Sequence, residues 1–571
     1  MKKILILFIS LLTTLAYAQT EEPFPYQREW VTAGPFNHPN NFSYHFFPSG
    51  ATLCIGFNYN NGQYDEFITE DTELKHFIIA KISPNQAFEF AFPFGSYEST
   101  TVIARLTDDE NNFYLGGPTQ QTVEIGTPGT HQPNFPGNMT LPDTLYFNEN
   151  DYIIYPPRLC YSGYVVKYDE NGNKQWGTYL NGDQEEWIST AVAKNNEVVV
   201  LGKTFSNNGL STPGVFMEEA GENLYYHNQR NFVAKLNAQN GNLLWASYLP
   251  IEGVSQLAVT STGEVIMHYP HPYSHILKIS ADGTNITEHT LEGVFSGPHR
   301  IALDSEDNLY LYGQTASEEN ITTPGTYKTI KTNDIEGYVL KYDSSLNKLW
   351  GTYVPHETNF GGLMTAGITP HTGDHGDINV YVNGATQENN LASDGVYQEN
   401  LAGGTDGYVL KLNPNGQLNW FTYYGSTLDE YIYSTQIDQD NNLYFVGLSS
   451  EASETSGILT ENPLFDYPQY PVSYNFIGKF THVKNVSHPQ QEYSFRLYPN
   501  PATDYLAVES TFLFDNKTQL TVYDMQGKLI YNQPAAYSNT QVIQTTNWAK
   551  GNYLLIIENN SFKKEFKFVV R

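Results

Sequence analysis

Apolar and polar positions alternate along this chain in short runs, and no long stretch follows helical spacing. The run GYVVKYD at 163–169 returns as GYVLKYD at 337–343 and as GYVLKLN at 407–413. HFIIAKIS (76–83), NFVAKLN (231–237), HILKIS (275–280) and NFIGKF (475–480) share its pattern. Such alternation suits strands with one face on a core. The seven copies place a lysine at 81, 167, 235, 278, 341, 411 and 479.

A second, aromatic strand follows five of these after a tight turn. Its mark is Trp176, Trp245, Trp350 or Trp420, each with a tyrosine three residues on, at 179, 248, 353 and 423. Phe90 takes that place after Lys81. The turns DENGN, AQNGN and PNGQ carry the Asn-Gly signal of a hairpin. A third element has the form D-x-x-x-N-x-Y-x-x-G, at 108–117, 304–313 and 438–447, with four looser copies. Apolar strands such as TAVA and RIALD precede it. Each unit therefore holds about four strands. One unit cannot bury both faces of its sheet, so the copies must stack, and radial stacking of four-stranded units makes a β-propeller.

The two ends supply a check. NFIGKF, the last lysine strand, has no aromatic strand after it, and REWVTAG, with Trp30, has no lysine strand before it. Pairing of the two ends closes a ring and removes two exposed sheet edges. The expectation is an all-β, seven-bladed propeller over about 22–482, within a domain spanning 19–482. The longest insertion is expected at 118–162. Lys278 has no tryptophan nine residues later, so an irregular fourth blade is expected.

Composition narrows the class. The 571 residues carry a net charge of -31, with 14% aromatic and 16% charged residues. Such a surface repels nucleic acid and anionic lipid. Residues 1–18, MKKILILFISLLTTLAYA, have the basic start, apolar middle and small-residue end of a cleaved signal peptide, which places the mature start at Gln19. No other run is long enough to be a transmembrane segment. Cys54 and Cys160 are the two cysteines, and either a disulfide or two free buried thiols fits the sequence.

The lysine and tryptophan strands, followed by D-x-x-x-N-x-Y-x-x-G, resemble the bacterial SBBP-type β-propeller repeat. The loops GTPGTHQ (126–132), STPGVFM (211–217), TTPGTYK (322–328) and ASDGVYQ (392–398) are similar to a loop of that repeat. The resemblance speaks to architecture, because propellers host unrelated functions.

After a polar linker at 483–494, alternating strands resume at 495–510, 518–532 and 551–571 and predict a small antiparallel β-sandwich. This tail, 495–571, resembles the type A C-terminal sorting domain of the type IX secretion system. The matching residues are Pro499, Asn500, Pro501, Asp504, Gly527, Lys528, Gly551, Tyr553 and Lys567. The resemblance implies the type IX machinery as a partner, and Sec export through the periplasm to the outer-membrane surface or the medium. It also implies a Bacteroidota-type bacterium.

Candidate chemistry is sparse. Glu186 with Trp187, and Glu430 with Tyr431, each follow a tryptophan by ten residues and are candidates for sugar binding or for a pair of glycosidase acids. Solvated loop acids are the plainer expectation. The clusters His268, His271, His275 and His371, Asp374, His375, Asp377 are candidate transition-metal ligands, without a specific spacing. Turns such as Asp438 to Asn442 echo the start of a calcium loop but lack its glycine and terminal glutamate. No cofactor is expected. LNAQNGNLLW (236–245) resembles the Trp motif of quinone-dependent dehydrogenases, without their adjacent cysteine pair. The sequence favours a non-catalytic module that binds a glycan or an extracellular protein. A polysaccharide hydrolase or lyase, and a structural adhesin or matrix protein, are the alternatives.

Overall fold

The computed structural model describes residues 24–571 apart from 35–42, 58–75, 97–99, 121–124, 138–142, 149–150, 156–158, 221–228, 252, 255, 271–273, 292–299, 357–366, 374–375, 451–456, 461–462, 465–472, 484–494, 515–517, 536–537 and 559–562. The signal-peptide expectation at 1–18 lies outside them, as does all of the linker but Val483. The described chain forms two compact units, the ring and the tail.

Seven four-stranded antiparallel sheets build the ring. Their inner strands are Ser43–Phe46, Ala104–Thr107, Glu186–Lys194, Gln256–Val259, Arg300–Leu303, Gly367–Thr372 and Glu430–Ile437. Inner strands of successive blades touch one another along the first five blades. The lysine strand is third in each sheet and the aromatic strand is outermost. Lys167 lies opposite Trp176, Lys235 opposite Trp245, Lys341 opposite Trp350, and Lys411 opposite Trp420. Lys81 faces Phe90, and in the fourth blade Lys278 faces Thr287. That blade still has all four strands.

The first strand, Tyr26–Ala33, pairs antiparallel with the last strand of the ring, Tyr474–His482, and completes the seventh sheet. The seven-bladed propeller is thus closed by its two ends. The aromatics are packing groups. Trp176 donates its indole N–H to the Ala238 carbonyl in the next blade's turn at 2.9 Å. Trp245 reaches Ala281 at 2.9 Å and Trp350 reaches Pro414 at 2.8 Å in the same way. Trp30 reaches the Pro84 carbonyl of the first blade at 3.2 Å, so blade seven adjoins blade one. The lysines follow suit: Lys167 Nζ donates to the Ala238 carbonyl at 3.1 Å, and Lys81 Nζ to that of Glu170 at 2.8 Å.

The loops at 126–132, 211–217, 322–328 and 392–398 have a task the sequence did not show. Each folds back along the outer strand of its own blade. The amides of Thr127, Thr212, Thr323 and Ser393 donate to the carbonyls of Gly177, Ala246, Gly351 and Phe421, in each case the residue after the tryptophan. Thr460, in a stretch without the motif, does the same to Val31. The loops thereby occupy the hydrogen-bonding edge that an outer strand would otherwise present to another chain. The insertion expected at 118–162 adds a hairpin, Asp143–Asn148 with Asp151–Tyr155. Cys54 and Cys160 are both buried, and no disulfide joins them.

The tail forms a three-stranded and a four-stranded sheet around one core containing Leu506, Val522, Leu555 and Phe568. The turn at Pro499-Asn500-Pro501 clasps the final strand: Asn500 Oδ1 accepts from the Val569 amide at 3.0 Å, and the Ala502 amide donates to the Val569 carbonyl at 2.7 Å. Gly527 takes a positive φ of 80° in a turn held by the Asp524 carboxylate, which accepts from the Lys528 amide at 2.9 Å. Tyr553 donates to the Ala549 carbonyl at 2.6 Å. Gly551 opens the strand Gly551–Glu558, and Lys567 lies opposite Leu554 in the last pair of strands. The Asp504 carbonyl accepts from the Thr545 amide at 2.8 Å.

Candidate functional site

Glu186 and Glu430 open the inner strands of the third and seventh blades, and both are fully buried. This corrects the expectation of solvated loop acids. The two carboxylates occupy equivalent corners. Glu186 lies opposite Thr204 and Glu430 opposite Ser449, each at the end of the neighbouring strand. Thr204 donates its hydroxyl to Glu186 at 2.9 Å, and Ser206 adds a second hydroxyl. Ser449 and Ser426 donate hydroxyls to Glu430 at 2.8 Å each, and the Ser426 amide donates at 2.6 Å. Burial pushes Glu186 up to about 7, against the pull of these hydroxyls and the Gly182 amide. Burial raises Glu430 as well. Both hydroxyls at Glu186 end on Oε1, whereas Glu430 receives donors on both oxygens.

Their aromatic neighbours diverge. Tyr431 is 5% exposed and packs with Ala385 and Leu448. Trp187 is 36% exposed, at the end of the ring where the inner strands begin, and Tyr161 meets its ring edge-on at 5.7 Å between centroids.

The histidine clusters are not assembled within the described residues. His275 lies opposite Tyr269, and His268 opposite Ile276, so the two imidazoles point to opposite faces of their sheet. His275 stacks on Tyr269 at 4.8 Å and pairs with Glu288 at 2.8 Å. His271 lies outside the described residues, as do Asp374 and His375. His371 meets Asn441 Oδ1 at 2.8 Å, and the Asp377 carbonyl accepts from the Gly373 amide at 2.9 Å. Among the described residues no three His, Cys, Asp or Glu side chains are placed to hold a metal ion.

The aspartate turns are built from their own side chains. Asp438 accepts from the amides of Asp440 and Asn442 at 2.9 Å each, from the Asn442 side chain at 2.9 Å and from the Tyr444 hydroxyl at 3.1 Å. Asp304 repeats the arrangement with Asn308 and Tyr310, and Asp108 with Asn112 and Tyr114. The motif D-x-x-x-N-x-Y is thus a turn whose aspartate receives the next strand's tyrosine.

Sequence reasoning passed over three basic residues on inner strands: His45, Arg105 and Arg300. Each occurs in one blade alone, so repetition gave no signal.

Residues 496–571 match the family described as "Secretion system C-terminal sorting domain". No curated protein matches the chain. Among solved structures, the RRP9 WD40 repeats align at 8% identity and a TM-score of 0.40, over 80% of this chain and 99% of that one. BamB from Moraxella catarrhalis aligns at 11% identity and 0.33, over 80% and 99%. The quinohemoprotein alcohol dehydrogenase ADHIIG from Pseudomonas putida HK5 aligns at 10% and 0.35, over 84% and 79%. At these scores the likeness adds nothing to the fold, which rests on the strand order above.

Proposed function

From a chain that ends in a type IX secretion sorting domain and carries a closed propeller before it, we propose an extracellular binding module of the SBBP-repeat type. Its ligand is a glycan that docks at the channel mouth. The observation that carries this reading is Trp187. A tryptophan at this exposure, braced by Tyr161, offers a flat apolar face beside polar chain ends, the surface on which a sugar ring stacks. The equivalent Tyr431 is closed off, so the platform belongs to one blade and not to the repeat framework. The acids that a hydrolase or lyase would need at this end, Glu186 and Glu430, are both buried and bonded to hydroxyls.

Thermal unfolding of the full chain against a panel of plant, marine and host polysaccharides tests the proposal. A glycan at a hundred times its dissociation constant adds about 2.7 kcal/mol if it binds the native state alone. Trp187→Ala is expected to abolish that shift without lowering the unliganded midpoint. No shift with any glycan, in a chain that captures a protein through the same Trp187, would replace the glycan with a protein ligand.

A further inference from the structure

We infer that the outer strand of the fourth blade is a docking edge for an extended segment of a partner protein, one whose threonine or serine clasps the main chain of Glu288. The site is separate from the channel mouth and stands or falls without the glycan reading.

The other blades show what such an edge takes. In five of them a threonine or serine holds both main-chain groups of the residue after the outer strand's tryptophan. The Thr323 amide donates to the Gly351 carbonyl at 2.9 Å, and the Thr323 hydroxyl accepts from the Gly351 amide at 3.2 Å. Thr127 holds Gly177, Thr212 holds Ala246, Ser393 holds Phe421 and Thr460 holds Val31 in the same two ways. In four blades a tyrosine amide two residues further along the strand also donates to the loop. Tyr353 reaches the Lys328 carbonyl at 2.9 Å, Tyr179 that of Gln132 at 3.0 Å, Tyr423 that of Gln398 at 3.1 Å and Tyr248 that of Met217 at 3.2 Å.

The outer strand of blade four is Ile286–Leu291. Thr287 stands opposite Lys278, in the tryptophan's register, so Glu288 and Thr290 hold the clasped positions. No described residue bonds outward to the main chain of either. Chain length is the reason. The clasping loops belong to the connection between second and third strands, which runs over 205–229 in blade three and 316–335 in blade five. In blade four that connection is 271–273. Three residues span about 11 Å at most. The outer edge lies two strand spacings beyond the third strand, about 10 Å out and the same back, so this connection cannot serve it. Exposure agrees. From the tryptophan onward the outer strands of blades two, three, five and six are buried, whereas Thr287, Glu288, His289 and Thr290 are all exposed. Nor does the strand's one carboxylate guard its edge. Glu288 accepts from the Tyr269 hydroxyl at 2.6 Å and pairs with His275 at 2.8 Å, both in its own blade.

An open edge of this kind recruits an extended chain through main-chain hydrogen bonds. A second copy is opposed by repulsion between two chains of net charge -31. A partner's segment with neutral or basic side chains is not. The internal clasps define it further: a hydroxyl residue, then a free carbonyl five residues on, as Lys328 follows Thr323.

The probe is a labelled peptide with the sequence of residues 321–329, ITTPGTYKT, titrated into the full chain by fluorescence polarisation. Saturable binding is expected, with the Thr323→Val peptide weaker by about tenfold or more, because the Glu288 amide loses its acceptor. Thr290→Pro in the protein removes an outward amide and spares the ladder to the third strand, so it should abolish binding. Amide hydrogen exchange serves if that variant does not fold. In the free chain Glu288 and Thr290 should exchange about tenfold or more faster than Gly351 and Tyr353, and the peptide should slow them. Slow exchange at both in the free chain, at every protein concentration, would mean that the edge is already covered and overturns the proposal. Protection that rises with protein concentration while the peptide is inert would put a second copy there and overturns the partner segment. Equal binding of the two peptides, or binding untouched by Thr290→Pro, overturns the clasp.

Discussion

Trp30 sits directly opposite Lys479, in the register that Trp176 keeps with Lys167 inside the second blade. The first and last strands of the ring thus rebuild the joint that every complete blade forms from neighbouring segments. Lys479 pairs with Glu29 at 2.8 Å and lies 5.7 Å from the Tyr444 ring centroid, while the Trp30 indole reaches the first blade. If this joint closes the ring, Trp30→Ala should cost about 3–5 kcal/mol, the usual range for a buried tryptophan. Urea unfolding of the full chain measures it. A loss below 1 kcal/mol would mean that the ring holds without its seam.

The seam has a consequence for blade six. Elsewhere the tryptophan N–H ends on the turn between the third and outer strands of the next blade. In the closing blade those strands are the two ends of the ring, so that turn does not exist. Trp420 is 0% exposed, and no described residue accepts from its N–H. Phe24, Tyr26 and Tyr381 surround it instead, with centroids at 5.0, 5.7 and 5.9 Å. Phenylalanine at either tryptophan loses the same volume, but only at 176 does it lose a hydrogen bond. Trp176→Phe should therefore be more destabilising than Trp420→Phe by about 1–3 kcal/mol. Equal losses in urea titrations of the two variants would refute the account.

How much of this was legible depends on repetition. Lysine opposite tryptophan recurs, so its register, the blade count and the closing pair could be read from spacing alone. The depth of Glu186 could not. Its hydroxyl partners, Thr204 and Ser206, lie on the next strand and past its end, and a lone glutamate at a strand start looks like a surface residue. Arg105 and Arg300 were invisible for the opposite reason. They interrupt apolar inner strands once each, and only the closed ring shows which strands are inner. The loops at 126–132, 211–217, 322–328 and 392–398 were recognised as motifs, but their role along the outer edges needs the closed sheet.

The irregular fourth blade carries a compensation in its neighbour. Gly241 takes φ 68° where a Cβ would come within 2.7 Å of the Trp176 ring, and Gly416 takes φ 76° within 2.8 Å of Trp350. The fourth blade has Thr287 in place of the tryptophan, and the fifth blade's turn has Leu346 at φ 65° in place of the glycine. Leu346 packs on the core between these blades. Thr287→Trp alone should destabilise by about 1–3 kcal/mol through overpacking. Adding Leu346→Gly should recover most of it, with a coupling of about 1–2 kcal/mol in the double-mutant cycle. Additive effects would separate the two positions.

Glu186 makes stability depend on pH in a sense opposite to most surface acids. Its folded-state value of about 7 stands above the ordinary 4.5. Between those values the native state binds a proton that the unfolded chain has released, so this residue's contribution falls as pH rises from about 4.5 to 7. Below 4.5 both states are protonated and the contribution is whole. Above 7 the native carboxylate is charged in a buried corner, and the accumulated loss is about 3 kcal/mol. Asp169, Asp183 and Asp343, held below their ordinary range by hydrogen bonds that outweigh desolvation, slope the other way and mask it in the parent. The difference between parent and variant isolates the residue. Glu186→Gln keeps an acceptor for the Thr204 and Ser206 hydroxyls and cannot ionise. It should therefore match the parent near pH 4.5 and exceed it increasingly up to pH 8, in urea unfolding at fixed ionic strength. A parallel offset at all pH values would show that Glu186 is charged in the fold throughout, and that its two hydroxyl donors outweigh burial.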